Sequence, residues 1–229
     1  MIEDSLKNRK HVVDYDLTVV PTESEIEEIL RIGYSLVTSK QKGYPYQTFV
    51  LGPNPERSKK LWNLCEGNKI NTDVEKLGTD KGSGYLPNDG LYHMYSAPYT
   101  LITTPRVAPP NAFHRQAFDS TDSFWELDNP EFVNFNNRES CAIEIGMLAK
   151  TITGAVLDRG WDTSYNICFP SNIESWKDWP FIEFYPALIQ TIGKGKKYKW
   201  QTLNEEDTKK NIDAPFETIF KFIDRNKND

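Results

Sequence analysis

The chain is poor in the residues that build covalent or metal frameworks. Its 229 residues include three cysteines and three histidines. Cys65, Cys141 and Cys168 are odd in number, far apart and free of any CxxC spacing, which argues against a disulfide framework and against a zinc site. His11, His93 and His114 are as scattered, so no histidine-rich metal centre is expected. No apolar run approaches the roughly 20 residues needed to span a bilayer. The opening residues, Met1 to Lys7, are charged and lack the apolar stretch of a signal peptide. A soluble, cytoplasmic protein without a membrane partner is the expectation. Familiar catalytic signatures are missing too: there is no GxSxG, no Walker loop and no HExxH. Gly193-Lys-Gly195 runs into further lysines without completing GxGxxG, so a Rossmann site has no support.

What is present describes a globular protein. Apolar residues make up 38% and aromatics 13%, enough for a real core. The balance of 27 Lys+Arg against 33 Asp+Glu, a net of −6, argues against nucleic acid as a partner. The basic run Lys194, Lys196, Lys197 and Lys199, with Tyr198 and Trp200, therefore reads as a solvated turn.

Periodicity then divides the chain. Residues 2–10 read as a short helix ending in Lys7, Arg9 and Lys10, and His11 to Tyr15 as extended. Thr22 and Glu25 form a capping-box signal for a helix that ends near Val37 and buries Ile26, Ile29, Leu30, Gly33 and Leu36. Gln47–Leu51 reads as a buried strand, Glu56–Cys65 as a second helix and Pro98–Thr104 as the next strand. The polar stretch 67–90 reads as a surface excursion. Residues 111–136, with Phe113, Phe118, Phe124, Trp125, Phe132 and Phe135, are aromatic but aperiodic. They suit packing against the main body, a wall over a substrate pocket, or a dimer contact. Asn137–Arg159 is the strongest helix, with Ile145, Leu148, Ile152, Ala155 and Val156 as its stripe and Gly160 as a left-handed cap. A turn at Trp161–Asn166, a strand at Ala187–Ile192 and a final apolar helix through Phe216–Ile223 complete the reading. With no repeat and no linker, this is one α+β domain over 1–229, with four or five strands and helices on both faces.

One loop stands out. Thr38-Ser-Lys-Gln-Lys-Gly-Tyr-Pro-Tyr46 lies between the first long helix and its strand, as a ligand-cradling loop would. Arg9-Lys-His-Val-Val-Asp-Tyr15 resembles the Arg-Arg-Ser-x-Arg-x-Phe motif of the FMN-dependent nitroreductase family. The loop resembles that family's Pro-Ser-x-x-Asn-x-Gln-Pro-Trp. Phe49–Leu51, Ala97-Pro98 before a strand, and Glu144-Ile-Gly146 on a helix ending in Gly160-Trp161 follow in the family's order. The resemblance covers most of the chain, least at 67–90 and 111–136.

The resemblance implies a three-layer α/β/α sandwich with a mainly antiparallel sheet, assembled as a homodimer with FMN bound non-covalently at the subunit interface. Arg9 and Lys10 would pair with the FMN phosphate, and His11 with the phosphate or ribityl chain. Ser39, Lys40, Gln41 and Lys42 would meet the ribityl chain or ring edge, and backbone around Thr163, Ser164 and Tyr165 the flavin ring. Lys209 and Lys210 are candidates for a C-terminal phosphate contact, and Lys210 is carried forward. Tyr44, Phe124 and Trp125 would line the substrate pocket. The implied chemistry is ping-pong: NADH or NADPH reduces the flavin, and a nitroaromatic, quinone or related small acceptor then takes the electrons. No side-chain catalyst is expected, because the cofactor carries the reaction. The chain departs from the pattern twice. Val13 stands where the family has its second cation, and Lys42 stands for Asn, so Lys42 is expected to supply the charge that Val13 lacks. The alternatives are a non-catalytic flavin-binding or interaction protein on the same fold, or a specialised branch acting in dehalogenation or flavin breakdown.

Overall fold

The capping signal at Thr22 starts the first long helix. The Glu25 N–H donates to Thr22 Oγ1 (3.2 Å) and the Thr22 N–H to Glu25 Oε2 (2.7 Å), so two donors at the helix end satisfy each other's side chains. The computed structural model describes residues 10–37, 39, 44–70, 92–106 and 135–198. In it, strand β1 (Val12–Tyr15) precedes helix α1 (Glu23–Ser35), which leads to β2 (Tyr46–Leu51) and α2 (Pro55–Ile70). A short helix α3 (Tyr92–Ser96), β3 (Tyr99–Pro105) and the long α4 (Phe135–Asp158) come next. After them run β4 (Asp162–Asn166), a 3-10 turn at Ile173–Trp176, β5 (Leu188–Gly193) and β6 (Gly195–Tyr198). Among the described residues no helix is long and apolar enough to cross a membrane.

The main sheet has the order β2-β3-β5-β4, antiparallel throughout. Alternation along its strands sends neighbouring side chains into two cores. Leu101 and Ile192 join Ile26, Ile29, Ile145, Leu148, Ile152 and Val156 beneath α1 and α4. Ile102 and Ile189 join Leu61, Cys65, Met94, Trp176 and Trp179 on the other face. The expected three-layer α+β sandwich is thus what the described residues form.

Several local expectations change. Asp162–Asn166 is a strand: its polar letters resemble a turn, yet Thr163, Ser164 and Asn166 are buried and bonded inside the fold. Gly195–Tyr198 is not a solvated turn but strand β6, paired antiparallel with β1. Leu36 is 54% exposed, because the helix stops at Ser35 and Leu36 sits past its last turn. Helix α2 runs to Ile70, into the stretch read as a surface excursion, and α3 has too few residues to show a period. Residues 2–9, the remainder of 67–90 apart from 67–70, 107–134 and the C-terminal helix lie outside the described residues.

Gly160 takes φ +76, the left-handed cap that its position calls for. Gly33 serves closeness instead. A Cβ there would stand 2.6 Å from Ile152 Cγ1 and 3.0 Å from its Cα, so α1 and α4 cross almost backbone to backbone. Gly33→Ala should gain up to about 1 kcal/mol of helix propensity but lose more to overpacking, since a backbone atom cannot step aside. The net expectation is a loss of about 1–2 kcal/mol in urea unfolding. A variant as stable as the wild type would refute the close crossing.

Candidate functional site

The residues singled out by sequence fall at two edges of the main sheet. At the β4 edge, the Ser164 hydroxyl accepts the Val12 N–H (2.8 Å) and donates to the Val12 carbonyl (3.0 Å), stitching β1 to β4. Outside this stitch Lys10 is exposed, its ammonium 5.3 Å from the centroid of the Tyr198 ring. His11 is half-buried and meets the fully buried His93 edge-on, ring centroids 5.6 Å apart. Val13 is 4% exposed, so the position of the family's second cation faces protein interior here.

Beneath β1 lies a buried polar network that sequence reasoning missed. The Thr191 Oγ1 atom lies 2.9 Å from the Tyr15 hydroxyl and 3.0 Å from His93 Nδ1, and donates to the Ser164 carbonyl at 3.3 Å. One hydroxyl carries one proton and two acceptor sites, so this arrangement uses its full capacity. Burial pushes the Tyr15 phenol well above its ordinary range, which keeps it a neutral donor. The side chains of Thr163 and Tyr165 are also engaged internally. Thr163 Oγ1 accepts from Gln190 Nε2 (3.0 Å), and the Tyr165 hydroxyl donates to the Ala149 carbonyl (3.1 Å) and pairs with Thr153 Oγ1. β4 forms its ladder on one side only, which leaves alternate backbone groups of 163–165 turned away from the sheet.

At the β2 edge the loop's two described ends close on each other. Ser39 is 2% exposed, and its hydroxyl accepts the Tyr44 N–H at 2.8 Å. The Tyr44 carbonyl accepts from Arg106 Nε at 2.8 Å, and Pro45 O accepts from the Arg106 N–H (3.0 Å) and the Cys141 thiol (3.2 Å). Tyr44 is thereby held at φ +44, a left-handed conformation that a tyrosine seldom adopts. Its ring lies 5.3 Å from that of Tyr34 and 6.3 Å from that of Tyr46. Burial, reinforced by the Glu144 carboxylate, pushes the Tyr46 phenol up to about 12 and the Cys141 thiol up to about 11. Tyr34 and Arg106 belong to no motif; the loop Thr38–Tyr46, and Glu144 in the Glu144-Ile-Gly146 match, are what marked this place in the sequence.

Lys10, His11 and 163–165 therefore gather at one edge, and Ser39 and Tyr44 at the other. Three inter-strand steps of about 4.8 Å put roughly 14 Å between those edges. Arg9, Lys40, Gln41, Lys42, Phe124, Trp125 and Lys210 lie outside the described residues.

No family model matches the sequence, and neither does any curated protein. Solved structures match over nearly the whole length. One from Exiguobacterium sibiricum, in complex with FMN, has a TM-score of 0.61 at 13% identity, covering 97% of each chain. A nitroreductase family protein from Streptococcus pneumoniae has a TM-score of 0.59 at 15% identity, covering 97% of this chain and 100% of that one. A BluB-like flavoprotein from Clostridium difficile has a TM-score of 0.61 at 13% identity, covering 97% and 99%. The chain has the nitroreductase fold.

Two measurements check this geometry. Thr191→Val is nearly isosteric and more apolar, yet it removes the hydroxyl shared by His93 and by Tyr15, which retains the Thr191 carbonyl at 3.2 Å. It should cost about 1–3 kcal/mol in urea unfolding; a neutral substitution would show that the network contributes nothing. Of the three thiols, only Cys168 is exposed. A disulfide reagent at pH 8 should titrate one thiol quickly, and Cys168→Ser should abolish that fast phase. Two fast thiols in the native wild type would contradict the burial of Cys65 and Cys141.

Proposed function

We propose that this chain is an FMN-dependent oxidoreductase that takes electrons from NADH or NADPH and passes them to small acceptors such as nitroaromatics or quinones. The observation that carries this reading is the nitroreductase fold, matched over 97% of the chain by a structure solved with FMN. The residues present suit the cofactor in kind. Lys10 is an exposed cation beside half-buried His11 at the β4 edge, where a phosphate dianion could be paired. Arg9 immediately precedes them in sequence. Backbone groups turned outward from β4 offer donors and acceptors to a ring edge.

The chemistry FMN supplies when bound is two-electron transfer between a reduced nicotinamide and an acceptor. The chain's own task is to bind, orient and tune. Arg9, Lys10 and His11 hold the phosphate end. Ser39 to Lys42 meet the ribityl chain and ring edge, and Tyr44, Phe124 and Trp125 shape the acceptor pocket. Lys210 adds a further phosphate contact. The β4 and β2 edges lie about three strands apart, and a homodimer in which the β2 edge of one copy faces the β4 edge of its partner would bring both motif sets to one flavin.

The buried Val13 favours a second reading, a protein that binds flavin without turnover, because that position offers no cation to a reduced ring. Lys42 is proposed to make up that charge. Purified protein reconstituted with FMN separates the two readings. Yellow protein that bleaches anaerobically with NADH or NADPH supports the enzyme, and yellow protein inert to both supports the binding protein. Protein that takes up no FMN overturns both. Arg9→Gln should weaken FMN binding about tenfold or more, the cost of one charge-assisted hydrogen bond. Lys42→Ala should shift the flavin potential downward; unchanged potential and affinity would remove Lys42 from the site.

A further inference from the structure

The β2 edge holds a cleft that shares Tyr44 with the proposed acceptor pocket and is otherwise built from residues to which the flavin reading gives no role. Its volume is ≈ 420 Å³, and it is bounded by Leu30 and Tyr34 of α1, Leu148 and Ile152 of α4, Tyr44, then Tyr46, Gln47, Thr48 and Val50 along β2, and Arg106. That size suits one or two aromatic rings.

Three features of the cleft point to a ligand of defined chemistry. Tyr46 is 7% exposed, yet its hydroxyl has no hydrogen-bond partner among the described residues. Buried hydroxyls are ordinarily paired, because leaving one unpaired forfeits its hydration for nothing. Arg106 spends its Nε–H on the Tyr44 carbonyl, which leaves its Nη groups as donors, and no salt bridge among the described residues involves it. In a chain with 33 acidic side chains against 27 basic ones, a half-buried arginine without a carboxylate is conspicuous. Finally, Tyr44 is held in a left-handed conformation by Ser39 and Arg106, and its ring lines the cleft beside that of Tyr34. Strain of this kind persists only where its surroundings enforce it. Glu144, whose carboxylate helps to raise the Tyr44 and Tyr46 phenols, does not line the cleft, and Arg106 is the one charged residue among those that do.

We propose that this cleft binds a small aromatic monocarboxylate, with its ring against Tyr34 and Tyr44, its carboxylate on the Arg106 guanidinium and the Tyr46 hydroxyl as a second polar contact. The planar guanidinium suits a carboxylate fork, the tyrosine rings offer faces and edges for a flat partner, and Leu30, Leu148 and Ile152 supply the apolar floor. Every group in it belongs to one chain, and Tyr44 is the wall it shares with the proposed acceptor pocket, so binding is expected with or without FMN.

The test uses the full chain, with and without added FMN, titrated calorimetrically with cinnamate. Cinnamyl alcohol keeps the ring and removes the charge; acetate keeps the charge and removes the ring. Cinnamate should bind saturably at one site per chain in both preparations, and both control compounds at least tenfold more weakly. Tyr46→Phe should weaken cinnamate about fivefold while leaving the melting temperature of the free protein unchanged or higher, a split that a merely structural hydroxyl would not produce. Tyr34→Ala, at a position 53% exposed, should weaken it without unfolding the chain. Arg106→Gln should weaken it about tenfold or more; because Arg106 also holds Tyr44, the other two variants decide if this one does not fold. Absence of saturable cinnamate binding, or equal binding by Tyr46→Phe and Tyr34→Ala, overturns the proposal. Protein that binds cinnamate but takes up no FMN keeps this site and loses the flavin reading, and the opposite pair of results does the reverse.

Discussion

The described body of the protein hangs on the hydroxyl of Thr191. Four elements meet there: Tyr15 from β1, His93 from α3, the Ser164 carbonyl from β4 and Thr191 itself from β5. β1 belongs to a separate two-stranded sheet, so its place against the main sheet is set by this network, by the Ser164–Val12 stitch and by Ser96 Oγ, which accepts the Tyr15 N–H at 3.0 Å. Apolar contact alone would hold β1 near β4 without fixing its register. Hydrogen bonds are directional, and a buried donor left unpaired is costly, so the polar network admits few alternative placements. The consequence for function is positional. Lys10 and His11 immediately precede β1, and whatever fixes the strand also aims them.

The same network shows why parts of the fold were legible in sequence and others were not. Helices α1 and α4 bury apolar stripes at helical spacing and carry their own boundary signals, Thr22 with Glu25 and Gly160, so both could be read from local pattern. β4 could not. Asp162-Thr-Ser-Tyr-Asn166 has the composition of a turn, and what makes it a strand is the presence of partners far away in sequence, Gln190 for Thr163 and Val12 for Ser164. β6 misled in the same way. Its lysines look solvated, and Lys196 is, but the backbone pairs with β1. Polar residues announce exposure in a single sequence; only the fold reveals that their hydrogen bonds are made inside it.

Sequence order also compressed the candidate site. The stretches at 9–15 and 38–46 are close in the chain and read naturally as two sides of one cradle. In the sheet order β2-β3-β5-β4, β2 forms one edge, while β1, in its own two-stranded sheet, is stitched to β4 at the other. Chain proximity became spatial separation because α1 carries the chain across the sheet face before β2 begins. The proposed homodimer answers to that separation, because it sets the β2 edge of one copy against the β4 edge of the other. The aromatic cleft at the β2 edge draws all of its groups from one chain.

Ser39 shows how far a matched residue can be trusted. It is the loop position that keeps the family's serine, and on sequence alone its retention speaks for flavin. In the fold its hydroxyl already has an employment, accepting the Tyr44 N–H, while Arg106 holds the carbonyl of the same residue. A left-handed tyrosine costs about 1–2 kcal/mol, and two hydrogen bonds worth about 1 kcal/mol each are of the size needed to hold it. Ser39 would thus be required by the backbone even if no flavin ever bound. The weight of the flavin reading accordingly shifts from Ser39 to Lys10 and His11 at the β4 edge.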